Sequence, residues 1–116
     1  MDYQLGAIVV PVSDVDRSRH FYRALGFQLA ADESAANARL VWLTPPGSQC
    51  SIILGTGLTS AAPGTLTARL TVTDLEEARS WLLARGAKPG PVSRSEGCDS
   101  SVFSDPDGNH WILEKR

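Results

Sequence analysis

The segment Val12–Gly26, VSDVDRSRHFYRALG, decides the fold, because Val72–Gly86, VTDLEEARSWLLARG, repeats its pattern at a constant offset of 60 residues. Each copy follows an alternating apolar run and ends in glycine. Each also has a hydroxyl residue, Ser13 or Thr73, in the expected N-cap position with an acidic residue three positions later. These features are typical of a strand that leads into a capped helix. The repeat therefore indicates two copies of one strand–helix unit.

The composition is that of an ordinary globular domain. The 116 residues are 42% hydrophobic, with a formal net charge of −2 and a pI near 5.6. This length favours a single domain, 1–116, and the charge gives no reason to expect nucleic acid or a membrane surface as a partner. No apolar run is long enough to span a bilayer. The first ten residues lack the features of a signal peptide, so we expect a cytoplasmic protein. Cys50 and Cys98 form no CxxC pair, which predicts neither a zinc site nor a redox motif.

Residues 1–55, which we call module one, predict a strand, a helix and three further strands. The predicted helix covers 14–25, and residues 32–37 are predicted to be a loop. The predicted strands are 5–12, 27–31, 38–43 and 50–55. The inner stripe of the helix follows helical spacing and consists of Val15, Ser18, Tyr22 and Leu25.

Residues 66–116, which we call module two, predict the same order after a linker at 56–65 that is rich in Gly, Ser, Thr and Pro. The predicted helix covers 74–85 and buries Leu75, Ala78 and Leu82, and residues 93–99 are predicted to be a loop. The predicted strands are 66–72, 88–92, 100–104 and 110–114.

Two motifs carry a resemblance to a known superfamily. They are V-x-V-S-D-V-x-R-S-x-x-F-Y-x-x-L-G-F at 10–27 and F-S-D-P-D-G-N-x-W at 103–111. Together they resemble the vicinal oxygen chelate proteins: glyoxalase I, bleomycin-resistance proteins and extradiol dioxygenases. The resemblance covers the whole chain and implies an α+β fold, in which two βαβββ modules form a cup-shaped mixed sheet. In such proteins the helices cover the outer sheet face, the ligand lies on the inner face, and two modules complete the cup within one chain or between two. A homodimer is therefore expected.

Strand alternation then predicts which side chains face inward. Ala7, Val9 and Pro11 should point into the cup, as should Thr67, Arg69 and Thr71. The alternate residues should face the helices: Ile8, Val10 and Val12 in module one, and Ala68, Leu70 and Val72 in module two.

The resemblance also implies four positions at which related enzymes hold a divalent metal. Carried over to this chain, they are Ala7, Thr67, Ile112 and the repeat mate of Ile112, which is Ser51, or Ile52 if the register slips by one. None of these side chains is a strong nitrogen or oxygen ligand. We therefore expect no metal site of the family type and no cofactor, which argues against glyoxalase, dioxygenase and epimerase activity.

Three polar residues remain as candidates on the inner face. His110 is either a general base at the rim of the cup or an exposed histidine after a turn, and Glu114 is a second weak catalytic candidate. Arg69 interrupts an otherwise small or apolar strand. It is expected either to bind a ligand carboxylate or phosphate, or to pair with Glu114.

Two aromatic residues are related by the repeat at an offset of 61, Trp42 and Phe103. They either stack against a flat ligand or pack in the core. The predicted ligand-binding residues are Val9, Trp42, Ser51, Ile53, Thr67, Arg69, Thr71, Phe103 and Ile112.

These observations favour a metal-free protein that binds a small organic molecule in the cup. The alternative is an enzyme of the same superfamily, a glyoxalase-like lyase, an isomerase or a dioxygenase, with a non-standard metal site or with His110 and Glu114 as acid–base residues. A third hypothesis is a structural or regulatory dimer whose cup is closed by side chains.

Overall fold

The computed structural model of the chain describes residues 1–35, 38–95 and 97–115. In module one a short strand leads through an N-capped helix into a three-stranded antiparallel run. The elements are β1 (Ala7–Val9), α1 (Val15–Ala24), β2 (Gln28–Ala35), β3 (Ala38–Thr44) and β4 (Ser51–Gly55). They form a four-stranded sheet in the order β1-β4-β3-β2, in which β1 and β4 are parallel.

Module two repeats this order of elements. They are β5 (Thr67–Val72), α2 (Leu75–Ala84), β6 (Ser93–Ser95), β7 (Cys98–Ser104) and β8 (His110–Lys115). The second sheet has the order β5-β8-β7-β6, with β5 parallel to β8. The predicted α+β fold with two βαβββ modules is therefore confirmed. Neither helix in the described part of the chain has the length and hydropathy of a membrane-spanning segment.

Several element boundaries predicted from the sequence are wrong. Residues 32–35 continue β2 instead of forming a loop, because they pair with β3 as far as Ala35 and Ala38, and the Asp32 carboxylate accepts hydrogen bonds from Arg39 across the hairpin. The remainder of that predicted loop, 36–37, lies outside the described residues. In module two the strand predicted at 88–92 is absent. The loop predicted at 93–99 is also wrong, because that segment contains β6 at Ser93–Ser95 and the start of β7 at Cys98. The two prolines within 88–92 explain the missing strand, since proline cannot donate to a sheet ladder.

The helix caps also lie one residue later than predicted. Asp14 and Asp74 are the N-caps, and their carboxylates accept from the backbone N–H groups of Arg17 and Glu77. A carboxylate at this position satisfies an unpaired N–H group and complements the helix dipole. The hydroxyl of Ser13 is used elsewhere, in a contact with module two.

The core lies between the helices and the sheet faces that they cover. Tyr22, Leu43, Leu54, Phe103 and Trp111 are almost completely buried there. The stripe predicted for α1 is confirmed, with Ser18, Tyr22 and Leu25 buried and Val15 packed against the core. In α2 the corresponding residues are Leu75, Leu82 and the partly buried Ala78.

The two modules meet where the turn 105–109 packs on α1, a contact that we call the turn–helix contact. Tyr22 Oη donates to the buried Asp105 carboxylate at 2.6 Å. The Asp107 carboxylate accepts from the Ser13 hydroxyl at 2.5 Å and from the Arg17 guanidinium at 3.2 Å. Asn109 Nδ2 donates to the carbonyl of Pro11 at 2.9 Å. The two motifs that carried the resemblance are therefore two sides of one contact. In each module, the sheet face that the helix does not cover points away from the helix; we call it the inner face.

Candidate functional site

In module two, the sheet face opposite the helix presents a grid of nine side chains. Because β5, β8 and β7 are aligned in register, residues from the three strands form three rows. The first row is Thr67, His110 and Ser104; the second is Arg69, Ile112 and Val102; the third is Thr71, Glu114 and Ser100. Most of these side chains are polar, so this face is suited to hydrogen bonding.

Polar contacts between neighbouring side chains order this grid. His110 is exposed, and its Nδ1 lies 3.1 Å from the Ser104 hydroxyl. Arg69 donates to the Glu114 carboxylate and forms an ion pair with it. The Arg69 side chain remains 64% exposed, whereas that of Glu114 is 19% exposed. Arg69 can therefore still meet a group from outside the sheet with its free N–H donors. The predicted parity of β5 holds, since Ala68, Leu70 and Val72 pack against the core.

The two catalytic candidates lie in different rows. His110 is in the first row and Glu114 in the third, four residues apart on one strand. At the usual rise of a strand this separates them by about 13 Å, whereas a directly coupled acid–base pair needs hydrogen-bond contact. The structure therefore does not bring these two side chains together as a catalytic pair.

The corresponding face of module one is apolar. Val9, Ile53 and Trp42 lie side by side across β1, β4 and β3, and all three are partly buried. Next to them, the Ser51 and Thr44 hydroxyls lie 2.8 Å apart. An indole beside two branched aliphatic side chains gives a flat apolar surface. The inner faces of the two modules therefore differ in chemistry.

The repeat correspondence at an offset of 61 is wrong for the aromatic residues. Trp42 pairs with Ile53 as Val102 pairs with Ile112, so the counterpart of Trp42 is Val102. Phe103 faces the helix, is 2% exposed and stacks on Trp111 with ring centroids 6.4 Å apart. Phe103 is therefore a core residue and is not on the inner face.

The same correction changes the fourth family metal position. The strand pairs place Ile53, and not Ser51 or Ile52, as the counterpart of Ile112. The loop between β3 and β4 is one residue longer than the loop between β7 and β8, which shifts the offset after the turn. Three of the four positions thus carry hydrocarbon side chains, Ala7, Ile53 and Ile112, and the fourth carries the hydroxyl of Thr67.

This donor set does not fit a divalent metal, which needs several converging nitrogen or oxygen ligands. Across residues 1–35, 38–95 and 97–115, no three His, Cys, Asp or Glu side chains lie close enough together to hold one. The four family positions therefore do not supply the ligand set that a divalent metal requires.

Sequence reasoning missed three members of the grid: Ser100, Val102 and Ser104. Their face follows from strand alternation once Phe103 is placed in the core. The signal was present in the segment SSVFS, where Val102 and its two alternate neighbours share one face.

Comparison with known proteins places this geometry in a family. The family model of the Glyoxalase/Bleomycin resistance protein/Dioxygenase superfamily matches residues 4–113. No curated protein sequence matches the chain.

Several solved structures are similar over nearly the whole chain. TnmS3, described as an antibiotic binding protein from Streptomyces sp. CB03234, is 28% identical, with a TM-score of 0.87 over 98% of this chain and 96% of its own. A glyoxalase/bleomycin resistance protein from the same organism is 29% identical, with a TM-score of 0.82 over 96% and 99%. A superfamily member from Sphaerobacter thermophilus DSM 20745 is 30% identical, with a TM-score of 0.83 over 99% and 98%. The chain belongs to the glyoxalase/bleomycin resistance protein/dioxygenase superfamily.

Proposed function

We propose that this protein binds a small organic molecule on its inner sheet faces without a metal ion, and that it does so as a homodimer. The observation that carries the proposal is the set of side chains at the family's metal positions, Ala7, Ile53, Thr67 and Ile112. Three of them have no donor atom, and a threonine hydroxyl is a poor ligand for the metals of this family. A member with these residues keeps the scaffold but lacks the Lewis acid, which favours binding over catalysis.

The chemistry of the two faces suggests the kind of ligand. Module one offers the apolar surface of Val9, Ile53 and Trp42. Module two offers Arg69 and the hydroxyl and imidazole groups of the grid. A molecule with a flat apolar body and an anionic or hydrogen-bonding edge would match both, because indole stacks on flat rings and guanidinium pairs with carboxylates. TnmS3 is described as an antibiotic binding protein, which supports a small molecule as the ligand.

The arrangement of the modules supports a homodimer. The described contacts between modules use helix-side residues and turns, such as Tyr22 with Asp105 and Trp111. The inner faces lie on the other side of each sheet, and β1 and β5 are edge strands whose outer edges pair with no described strand. An uncovered face with an open edge calls for a partner, and a second copy in symmetric pairing can supply one. In such a dimer, module one of one chain and module two of its partner form one cup.

Metal analysis combined with ligand screening tests this function. We expect the purified protein to hold no stoichiometric divalent metal after dialysis. We also expect its melting temperature to rise with a flat aromatic carboxylate but not on addition of Ni²⁺, Zn²⁺, Fe²⁺ or Mn²⁺, because only a molecule that binds the native state raises the midpoint. One equivalent of retained metal, lost on mutation of inner-face residues, would contradict the proposal.

A further inference from the structure

A concave surface lies along α2, outside the inner faces. It is a groove of about 720 Å³ between α2, the end of β5 and the loop that follows β3. Its apolar lining includes Leu25, Pro46, Val72, Ala78 and Trp81. The volume lies in the range of pockets that hold small organic molecules. The function proposed above makes no use of this surface.

The internal repeat explains why the groove is open. The loop after β3 is the counterpart of the turn 105–109, and both make the same backbone hydrogen bond at 3.0 Å, from Ser48 to Pro45 and from Gly108 to Asp105. In module two that turn fills the groove on α1 by inserting the Asp107 side chain. At an offset of 60 residues, the counterpart of Asp107 is Gly47, which has no side chain to insert. The groove on α2 is thus the unfilled equivalent of the turn–helix contact.

The charge on the helix is reversed between the two copies. At α1, the carboxylate of Asp107 from the turn 105–109 lies 3.2 Å from the guanidinium of Arg17. The counterpart of Arg17 is Glu77, an exposed residue that lines the groove on α2. Within the described part of the chain, the Glu77 side chain forms no ion pair. The place in the α2 groove that corresponds to Asp107 therefore lies beside the Glu77 carboxylate, which is complementary to a cation.

Trp81 supplies a fixed aromatic surface beside Glu77. Its indole N–H donates to the carbonyl of Leu25 at 2.9 Å, which holds the ring in place, while the residue remains 48% exposed. Trp81 is four positions after Glu77, so the two side chains are neighbours on one helix face. The Arg85 guanidinium, which also lines the groove, covers one face of the ring at 3.2 Å from its centroid.

We propose that this groove binds a small organic ligand that carries an ammonium group. The ammonium meets the Glu77 carboxylate at the position that corresponds to Asp107 in the other module. The apolar part of the ligand lies along Ala78, Trp81 and Val72. This site is separate from the inner faces and does not depend on the function proposed for them.

Two-dimensional ¹H–¹⁵N NMR with three matched probes tests the proposal. The probes are 2-phenylethylammonium, the neutral 2-phenylethanol and the anionic 3-phenylpropionate. We expect 2-phenylethylammonium to shift the indole N–H signal of Trp81 and the amide signals of α2 in a saturable way, and the other two probes to shift them much less. The indole signal of Trp42 reports separately on the inner face. If no ligand shifts that signal, the result concerns only the function proposed above.

Two variants identify the charge that selects the probe. Glu77→Gln should weaken binding of 2-phenylethylammonium about two- to fivefold, as expected for an exposed ion pair. Glu76→Gln is the control, because Glu76 lies on the same helix but pairs with Arg79 and does not line the groove. The proposal would be overturned by equal shifts with all three probes or by equal effects of the two variants. It would also be overturned if the Trp81 signal shifted with protein concentration in the absence of a probe, which would assign the groove to a second copy of the chain.

Discussion

The hydroxyl of Tyr22 lies 2.6 Å from the carboxylate of Asp105, so a buried hydrogen bond joins α1 of module one to the turn before β8 of module two. The indole N–H of Trp111 donates to the same hydroxyl at 2.9 Å. Burial, and then the adjacent Asp105 carboxylate, raise the pKa of Tyr22. The tyrosine therefore stays protonated and remains a donor.

The first prediction concerns this hydrogen bond. Tyr22→Phe should lower the free energy of unfolding by about 1–3 kcal/mol, because Asp105 and Trp111 each lose a partner while both remain buried. Urea denaturation measures the change. Tyr3→Phe is the control, since Tyr3 is exposed and should give no measurable effect. Equal stabilities of the two variants would mean that the contact does not hold the modules together.

The second prediction concerns acid stability. The Asp32 carboxylate accepts hydrogen bonds from Arg39 and Arg19, and these lower its pKa below the usual 3.8. A carboxyl group with a lowered pKa stabilises the fold above the unfolded-state value, and this stabilisation is lost as the pH falls through the folded-state value. Asp32→Asn should therefore be less stable than the wild type at pH 6.

The same difference should shrink as the pH falls through the unfolded-state pKa and then through the lowered folded-state pKa, because the wild-type carboxyl group is then protonated in both states. Thermal unfolding at a series of pH values measures it. Glu33→Gln is the control, because Glu33 is on the same strand and forms no ion pair with any residue that the structure describes. A deficit of Asp32→Asn that is independent of pH would contradict the assignment.

Much of the fold could be predicted, because the pattern repeats. Both copies of the strand–helix segment and the DPDGN turn led to the correct order of elements. The error at 32–35 arose where a contact with another strand overrides local preference, whereas the prolines that exclude a strand at 88–92 are visible in the sequence. The polar segment 32–35 has the composition of a loop, but the pairing of Asp32 with Arg39 keeps it in β2. The composition of 32–35 by itself does not contain that information.

The candidate site was less predictable, because it depends on register. The true offset is 60 on β3 and 59 on β4, after the extra residue in the loop, so Ile53, and not Ser51, is the counterpart of Ile112. The offset of 61 is one residue too long on β3, so it paired Trp42 with Phe103, a core residue, instead of Val102. Side chains alternate along a strand, so an error of one residue moves a side chain to the opposite face. For Arg69, whose face was argued from β5 alone, the prediction did not depend on this count.

The third prediction concerns the oligomeric state. If a second copy covers the inner faces, sedimentation at micromolar concentration should give a homodimer. Val102→Lys places a charge on the inner face, where the wild-type side chain is 42% exposed in the single chain. We expect this variant to shift the equilibrium toward monomer, because an unpaired charge is costly at a covered surface. Leu83→Lys on α2 is the control, since Leu83 is 54% exposed and lies away from the inner faces. A wild-type protein that stays monomeric would contradict the prediction.

The last prediction concerns Arg69. In the structure it pairs with Glu114, but most of its side chain stays exposed, so the pair should contribute only about 0–1 kcal/mol to stability. Arg69→Met should therefore stay folded. If a ligand carboxylate uses the remaining donors of Arg69, the variant should lose about 1.5–3 kcal/mol of binding free energy, the usual value for a charged hydrogen bond. Titration calorimetry with an aromatic carboxylate that raises the melting temperature of the wild type measures the loss.

Arg94→Met provides the matched comparison for Arg69. Arg94 also belongs to module two and is exposed, and it pairs with Asp99 at 2.6 Å on the β6–β7 hairpin, outside the grid of the inner face. Both variants should change the free energy of unfolding by similar small amounts, and only Arg69→Met should weaken ligand binding. Unchanged affinity in Arg69→Met, together with a loss of stability larger than in Arg94→Met, would show that Arg69 serves the ion pair with Glu114 alone.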